Sequence, residues 1–592
     1  MKTLSGIPAS PGIAIGLIHV INQEELSIKE ITLDTPGKVQ SEVENFTLAL
    51  RKTEEELVAV QKMLRSHLGK DEASIFDAHL HILKDIAISQ KTAAIIKNEK
   101  KNAAFALKRV VDETIVAFNA MQDDYLRQRV LDVQDVYKRV LNHLVEDFVT
   151  GVDPVDLSEK SVFVARSLGP YDFAFFEQGS MLGVVTETGG AASHFAIIAR
   201  SLDIPAVVGC EGVTLTAVNG ATIIIDGGHG TVILNPDSDT LEKYSRQQKR
   251  YISREQKLFA QRDLPPITID GRMIDIAANL ELPSEITSIL EHGCRNIGLC
   301  RTEFLYLLKK SPPTEEEQFQ TYSDFLKKMH PGYVIIRTFD LGGDKISGMI
   351  KTESEANPAL GWRAIRICLD EEDLFRTQLR AILRASIFGN LKVMFPMISS
   401  VEELRRALKI YNEVKKELLG KLVPVSERID VGVMIEVPSA ALVADELAKE
   451  VDFFSIGTND LTQFLLAVDR GNKRLAPLFD SHNPAVLKMI KSVINAAHSN
   501  GIWVGVCGEM AGNPLSALLL LGMGADELSM NTISVLEIKR IIRSITFDEI
   551  RSVVEEALTL ESSRKISVFL QRKFRKKVSF SHLYQEVFKV KS

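Results

Sequence analysis

The sequence predicts a multidomain chain in which an α/β domain carrying an all-α insertion is followed by a (β/α)8 barrel. Three observations predict this. The last 330 or so residues alternate short apolar runs with helical stretches, and eight such runs fit a barrel, for which about 250 residues is typical. A Gly-poor segment from about Pro36 to Asp147 repeats its apolar residues at helical spacing. Strand-like runs lie on both sides of that segment.

In chain order, the opening GIPASPGIAIGLIHV is rich in Gly, Pro and β-branched residues and reads as strand and turn. The segment that follows places Val43, Phe46 and Leu50, then Leu126, Val130, Val133, Tyr137 and Val140, on helical stripes, which predicts several antiparallel helices with an apolar core. Strand signals resume at Ser161–Val164 and continue through Gly183–Val185, Ala206–Val208 and Ala221–Ile225. The expected domains are therefore 1–22 with 148–237 as one α/β unit and 23–147 as its helical insertion. A charged, Gln-rich linker helix follows over 238–262, and the barrel with a C-terminal tail occupies 263–592. The eight barrel runs are Ile274–Ala277, Asn296–Cys300, Val334–Arg337, Lys392–Pro396, Val431–Val437, Phe453–Ile456, Trp503–Cys507 and Glu527–Met530.

Composition bounds the function. At roughly 150 residues per domain, 592 residues mean three to five domains, and 45% hydrophobic with 25% charged residues is ordinary globular usage. The net charge of −7 argues against a general nucleic-acid binder. Apolar stretches such as Ala517–Leu521 fall far short of the roughly 18 residues that span a bilayer. Pro8 and Pro11 interrupt any signal-peptide core, and the five cysteines form no CxxC pair. A cytoplasmic enzyme without direct membrane insertion is expected.

Catalytic groups of a barrel sit at the carboxyl ends of its strands, and here those ends are polar. Asn279 follows the first run, Arg301 and Glu303 the second, and Arg337, Asp340, Asp344 and Lys345 the third. Glu436 ends the fifth, Asn459 and Asp460 follow the sixth, and Cys507 and Glu509 close the seventh. Arg301, Arg337, Lys345, Arg363 and Arg470 form an excess of cation suited to phosphate and carboxylate oxygens, which arginine grips as a fork. Glu436 and Asp460 suit a hard cation such as Mg²⁺, which takes one or two protein carboxylates plus substrate oxygens. The lack of His or Cys beside them argues against zinc. Cys507, where a strand meets its loop, is either an inert buried thiol or a proton donor to a reacting carbon.

A second site lies in the α/β unit. Gly189 and Gly190 lead through Ala191, Ala192 and Ser193 to His194 and a helical run. Ser193 is a candidate cap, and His194 falls in the first helical turn, where the helix dipole favours a neutral imidazole and added negative charge. Both effects suit a histidine that accepts a phosphoryl group, although a lone histidine in a Gly-rich turn is more often structural. No GxxxxGK[ST] and no strand-linked GxGxxG is present.

GGAASHFAIIARSLDIPAVVG (189–209) resembles the phosphohistidine segment of phosphoenolpyruvate-using phosphotransferases. GIPASPGIAIG, GLCRTEFLY (298–306), RTFDLGGDK (337–345), NPALGWRAIR (357–366), MFPMISSVEEL (394–404), VDFFSIGTNDLTQFLLAVDRGN (451–472) and GVCGEMAG (505–512) are similar, in the same order, to segments of the enzyme I family of the phosphoenolpyruvate-dependent sugar phosphotransferase system. The resemblance covers nearly the whole chain.

It implies a swivelling phosphohistidine domain and a barrel that binds phosphoenolpyruvate with Mg²⁺ on Glu436 and Asp460. Arg301, Arg337, Asn459, Asp460 and Arg470 would hold the substrate, with Lys345 and Arg363 as supports of the same anion site. His194 would take the phosphoryl group, and Cys507 would protonate the enolate to pyruvate. The helical insertion would dock a small HPr-like phosphocarrier protein, where His79 and Arg129 keep the family's pattern, and the chain would pair as a homodimer through its barrel.

The chain departs from the family in several places. Ala191-Ala192 stand where Arg-Thr is usual, Gly169 and Tyr171 stand where Thr and Ser are usual, and FDAHLHILKDIAI is less acidic than the usual docking pattern. A dikinase sharing the histidine and the barrel would need an ATP-grasp domain, for which the 193 residues before His194 leave no room. The alternative is a catalytically weak regulatory phosphoacceptor or scaffold, for which the barrel's polar ring has no purpose.

Overall fold

The computed structural model describes the chain except for residues 22–27, 68–78, 81, 121–132, 134–135, 146–159, 169–180, 191–193, 202–203, 308–310, 343–354, 356, 471, 473, 576 and 578–592. The described residues form two compact units, one over Met1–Arg254 and one over Glu255–Phe580. The Gln-rich segment is one long helix, Ser238–Phe259, which runs through the division between them.

The first unit is built on strands β1 (Lys2–Ser5), β2 (Ile7–Ser10), β3 (Ile13–Ile21), β4 (Ser161–Ala165), β5 (Met181–Thr186), β6 (Ala206–Val208), β7 (Thr222–Asp226) and β8 (Thr231–Leu234). They make one mixed sheet in the order β1-β8-β7-β3-β4-β5-β6-β2. Alternation puts Phe163, Ala165 and Val184 into one apolar cluster and Val162, Val164 and Val185 into another, so both faces are covered. Strand β3 pairs in parallel with β4, Leu17 opposite Ser161, so the helical segment between them is the crossover a parallel pair requires. That segment contains the helices Pro36–His67, Ile86–Ala94 and Ala103–Ala120, with helical residues again at 136–144. Phe46, Leu57, Leu107, Val136, Tyr137 and Val140 are its buried core. Asp85 starts the second helix by accepting from the N–H of Ala87 at 2.8 Å.

The second unit is a closed parallel barrel of β9 (Asp275–Leu280), β10 (Ile297–Cys300), β11 (Tyr333–Arg337), β12 (Asn390–Phe395), β13 (Asp430–Ile435), β14 (Phe453–Ile456), β15 (Trp503–Val506) and β16 (Glu527–Met530). Strand β16 closes on β9, with Glu527 opposite Asp275. All eight apolar runs of the sequence are these strands. Their outward residues, such as Val334, Ile336, Val393 and Val433, pack on the surrounding helices in one large core. Leu299, Ile335, Met394, Met434, Phe453 and Cys507 fill the barrel's inside. No described helix is long and apolar enough to cross a membrane.

Candidate active site

The carboxyl ends of the barrel strands turn outward through backbone hydrogen bonds that prolong the ladder. Arg301 N–H donates to Leu280 O at 2.9 Å, Thr338 N–H to Met394 O at 3.0 Å, and Cys507 N–H to Ile456 O at 3.1 Å. These bonds fix the first residues after each strand on a rigid frame, which catalytic geometry needs. The loops after β14 and β15 touch at Gly508, where a Cβ would lie 1.9 Å from Thr458 Oγ1, so only glycine permits this approach.

On that frame lies a chain of ion pairs. Arg337, buried, donates to Glu303 at 2.6 Å through Nη2 and pairs with Asp340 at 2.8 Å through Nη1. The second oxygen of Asp340 accepts from Arg363 at 2.8 Å. Arg363 lies 3.8 Å from Asp460, which is also 3.7 Å from Arg470. Burial opposes the charge of Arg337, but Glu303, Asp340 and Glu436 outweigh it and raise its pKa. The same balance holds at Arg363, where Asp340 is the main opposing partner.

Glu436 is 1% exposed and accepts the Met397 N–H at 2.7 Å through Oε1, while Oε2 accepts no hydrogen bond among the described residues. Burial first, then Asp460 and Asp340, push its pKa far above the usual carboxylate range. A buried carboxylate with a bare oxygen, its charge disfavoured by Asp460 beside it, could hold a divalent cation together with Asp460. Charge points the same way. Among the described residues, four guanidiniums (Arg301, Arg337, Arg363, Arg470) lie beside the carboxylates Glu281, Glu303, Asp340, Glu436 and Asp460. A divalent cation on Glu436 and Asp460 would add positive charge for an anionic substrate. Unpaired buried polar atoms also collect here, among them Arg301 Nε, Glu303 Oε2, Arg337 Nε and Thr458 Oγ1.

Cys507 is buried, with its thiol pushed up to about 11 by burial first, against the lowering effect of the Ser455 hydroxyl. It is a protonated acid at neutral pH, as a proton donor must be. Asn279 holds its carbonyl at 3.0 Å. Asn459 and Glu509 clasp each other, Asn459 Nδ2 donating to the carboxylate at 3.1 Å and Glu509 N–H donating back at 3.0 Å.

The remaining expected residues are placed as follows. Arg301 is 40% exposed and pairs with Glu281 at 2.6 Å. Lys345 and Arg129 lie outside the described residues, as do Ala191–Ser193, Gly169 and Tyr171. His79 is buried, 1% exposed, within the helical segment. His194 opens the helix His194–Ser201 in the first unit, and the same helix is tied to β2 by Ser10 Oγ, which donates to Ala199 O at 3.4 Å.

Sequence reasoning marks Glu303 and Asp340 only as polar strand ends and omits their task of holding Arg337 and Arg363. The signal is the Arg-x-x-Asp of RTFD, whose two charges meet where a strand ends. It also omits a polar layer inside the barrel at the opposite, amino ends of the strands. There Glu527 accepts from the Tyr333 hydroxyl, and Lys392, paired with Asp430, lies 5.2 Å from the Trp503 ring.

The chain is similar to known proteins over nearly its whole length. Residues 255–547 match the family model described as PEP-utilising enzyme, PEP-binding domain. Residues 5–129 match PEP-utilising enzyme, N-terminal, and 157–230 match PEP-utilising enzyme, mobile domain. The chain is 42% identical over 573 residues to the phosphoenolpyruvate-protein phosphotransferase of Bacillus sp. (strain S), covering 97% of this chain and 98% of that protein. It is 41% identical to the Bacillus subtilis (strain 168) protein of the same name over 97% of this chain and 100% of that one. The Staphylococcus carnosus (strain TM300) protein of that name is 42% identical over 95% of this chain and 98% of its own length. With barrel, mobile-domain and N-terminal segments all matched in order, the chain belongs to the phosphoenolpyruvate-protein phosphotransferase family and is an enzyme of that family.

Proposed function

We propose that this enzyme moves the phosphoryl group of phosphoenolpyruvate to its own His194 and then to a histidine of an HPr-like phosphocarrier, releasing pyruvate, as the general phosphate donor of a sugar phosphotransferase system. The observation that carries the reading is the Arg337–Asp340–Arg363 bridge beside Glu436 and Asp460 at the barrel mouth. It presents two guanidiniums at a fixed spacing to a phosphorylated carboxylic acid, next to a pair of carboxylates suited to a divalent cation.

In the proposed chemistry, Arg301, Arg337 and Arg470 grip phosphate and carboxylate oxygens, with Asn459 donating its amide and Arg363 and Lys345 in support. Glu436 and Asp460 would hold Mg²⁺, which when bound neutralises charge on the substrate oxygens. The neutral His194 imidazole attacks phosphorus in line. The N–P bond forms as the bridging P–O bond breaks, and the electron pair stays on the departing enolate. Cys507 gives its thiol proton to the enolate's terminal carbon, completing pyruvate, and regains a proton from solvent. Positioning and charge neutralisation supply most of the acceleration.

The helical segment is the proposed docking face for the carrier, with Arg129 in contact and the buried His79 shaping that face from beneath. A homodimer through the barrel and a cytoplasmic site of action complete the reading.

The test incubates the intact protein with labelled phosphoenolpyruvate and Mg²⁺, beside His194→Ala. An acid-labile, base-stable label on the wild type that is missing from the variant supports the reading. A wild type that takes up no label overturns it, and label that never reaches HPr overturns the assigned acceptor.

A further inference from the structure

At the amino-terminal ends of β9 and β10, away from the substrate mouth, the second unit contains a cavity of about 440 Å³. Its lining includes Arg262, where the linker segment joins the barrel, Arg295 just before β10, and Lys539 from the helix Thr532–Ile542. The carboxylates on its wall are Asp263 and Asp275.

The three cations are unequally satisfied. Lys539 is 4% exposed, and its ammonium donates to the carbonyls of Arg262 and of Gly293, the latter at 3.2 Å. An ammonium has three donors, so one is left without a partner among the described residues. Arg295 is exposed and forms no ion pair among the described residues. Arg262 meets Asp263 only at 3.6 Å, with its guanidinium stacked 4.4 Å from the Phe259 ring. Arg543 adds a fourth positive charge, held at 2.7 Å by the carbonyl of Pro265.

The carboxylates do not balance this group. The side chain of Asp263 is 71% exposed and sits in high-dielectric water. Asp275 has Lys392, on the barrel's inner side, as its principal charge partner. Burial first, and then Arg295 and Arg543, press down on the pKa of Lys539, while Cys294 and Asp263 oppose them. An oxyanion in the cavity would offset both the lost solvation and the repulsion between cations.

We propose that this cavity is a second anion site, taking a small oxyanion of the phosphate class. Arg295 and Arg262 bind it as planar forks from the rim, and Lys539 supplies a pre-positioned donor from the floor. The bound ion ties the end of the linker segment to the barrel at three points. This site is independent of how the barrel mouth works.

Equilibrium dialysis of the full-length protein against labelled inorganic phosphate tests the proposal. Arg337→Met removes a guanidinium from the mouth, and Arg295→Glu reverses one charge at the cavity from an exposed position that the fold does not need. In the Arg337→Met background, adding Arg295→Glu is expected to lower bound phosphate by one ion per chain, and Lys539→Met is expected to do the same. Unchanged thermal unfolding midpoints establish that each variant is folded. Equal phosphate binding with and without Arg295→Glu overturns the proposal, as does the absence of bound phosphate from Arg337→Met itself.

Discussion

Asp340 and Arg337, three residues apart where β11 ends, form an ion pair at 2.8 Å in which both side chains are withdrawn from water. The free oxygen of Asp340 reaches Arg363 at the same distance, so a single carboxylate sets the spacing of two guanidiniums. Truncation to Ala leaves both cations buried without this partner, which costs about 3–5 kcal/mol of stability. Asp340→Asn retains the shape and removes the charge. It is expected to raise the KM for phosphoenolpyruvate at least ~10-fold, about 1.4 kcal/mol, with a smaller change in unfolding temperature. Steady-state kinetics beside thermal unfolding checks this, and an unchanged KM would show that the charge of Asp340 does not matter for substrate binding.

Asp460 is among the groups that disfavour the charge of Glu436, and a divalent cation held by the two would relieve it. Glu436→Gln is expected to weaken Mn²⁺ binding at least ~10-fold and to slow phosphoenolpyruvate-dependent self-phosphorylation ~100-fold or more. Electron paramagnetic resonance reads the first, and label incorporation the second. A variant that binds Mn²⁺ normally removes Glu436 from the metal site.

Cys507 carries its proton up to about pH 11 because the folded protein buries it. With Cys507 as the proposed proton donor the acid form is the active one, so enolate protonation is expected to stay flat to about pH 9 and to decline as pH nears about 11. Cys507→Ala is expected to abolish exchange of the pyruvate methyl protons while leaving phosphoenolpyruvate binding within about 2-fold. Exchange measured by proton NMR in deuterated solvent decides it; a thiol-free enzyme that exchanges at the wild-type rate assigns the proton to another group.

Glu527, fully buried, has its pKa pushed up from 4.5 to about 7, first by burial and then by Asp275, against the Tyr333 hydroxyl and Lys392. The folded state keeps this proton to higher pH than the unfolded chain, so stability falls as pH rises from about 4.5 to about 7. Above that window the ionised carboxylate costs about 3 kcal/mol. Glu527→Gln, which still accepts from Tyr333, is expected to unfold at higher temperature than wild type near pH 8 and at the same temperature near pH 4. Identical pH profiles would mean that Glu527 titrates in the native barrel as it does in the unfolded chain.

The eight barrel strands were legible because parallel strands buried on both sides must be short apolar runs, as in Val431–Ile435 or Phe453–Ile456. Their polar ends were legible for the same reason, since a charge can follow such a run only where the strand leaves the core. Lys392 and Glu527 were not read this way. Each lies within an apolar run, and whether such a side chain faces the barrel's interior or its helices depends on closure and register, which no single strand contains.

The amino-acid sequence by itself determined the fold class, the family and the identity of the polar groups at the strand ends, because local periodicity and motif order are properties of the chain. The tertiary structure alone decided how those charges combine. Arg337 and Arg363 share Asp340 because β11 and the loop carrying Arg363 meet in space, with Gly342 bridged to Arg363. Among the described residues, the guanidiniums that the sequence presents as a surplus of cations are paired with carboxylates. Coulomb interaction depends on separation and burial, and both are set by folding rather than by position along the chain.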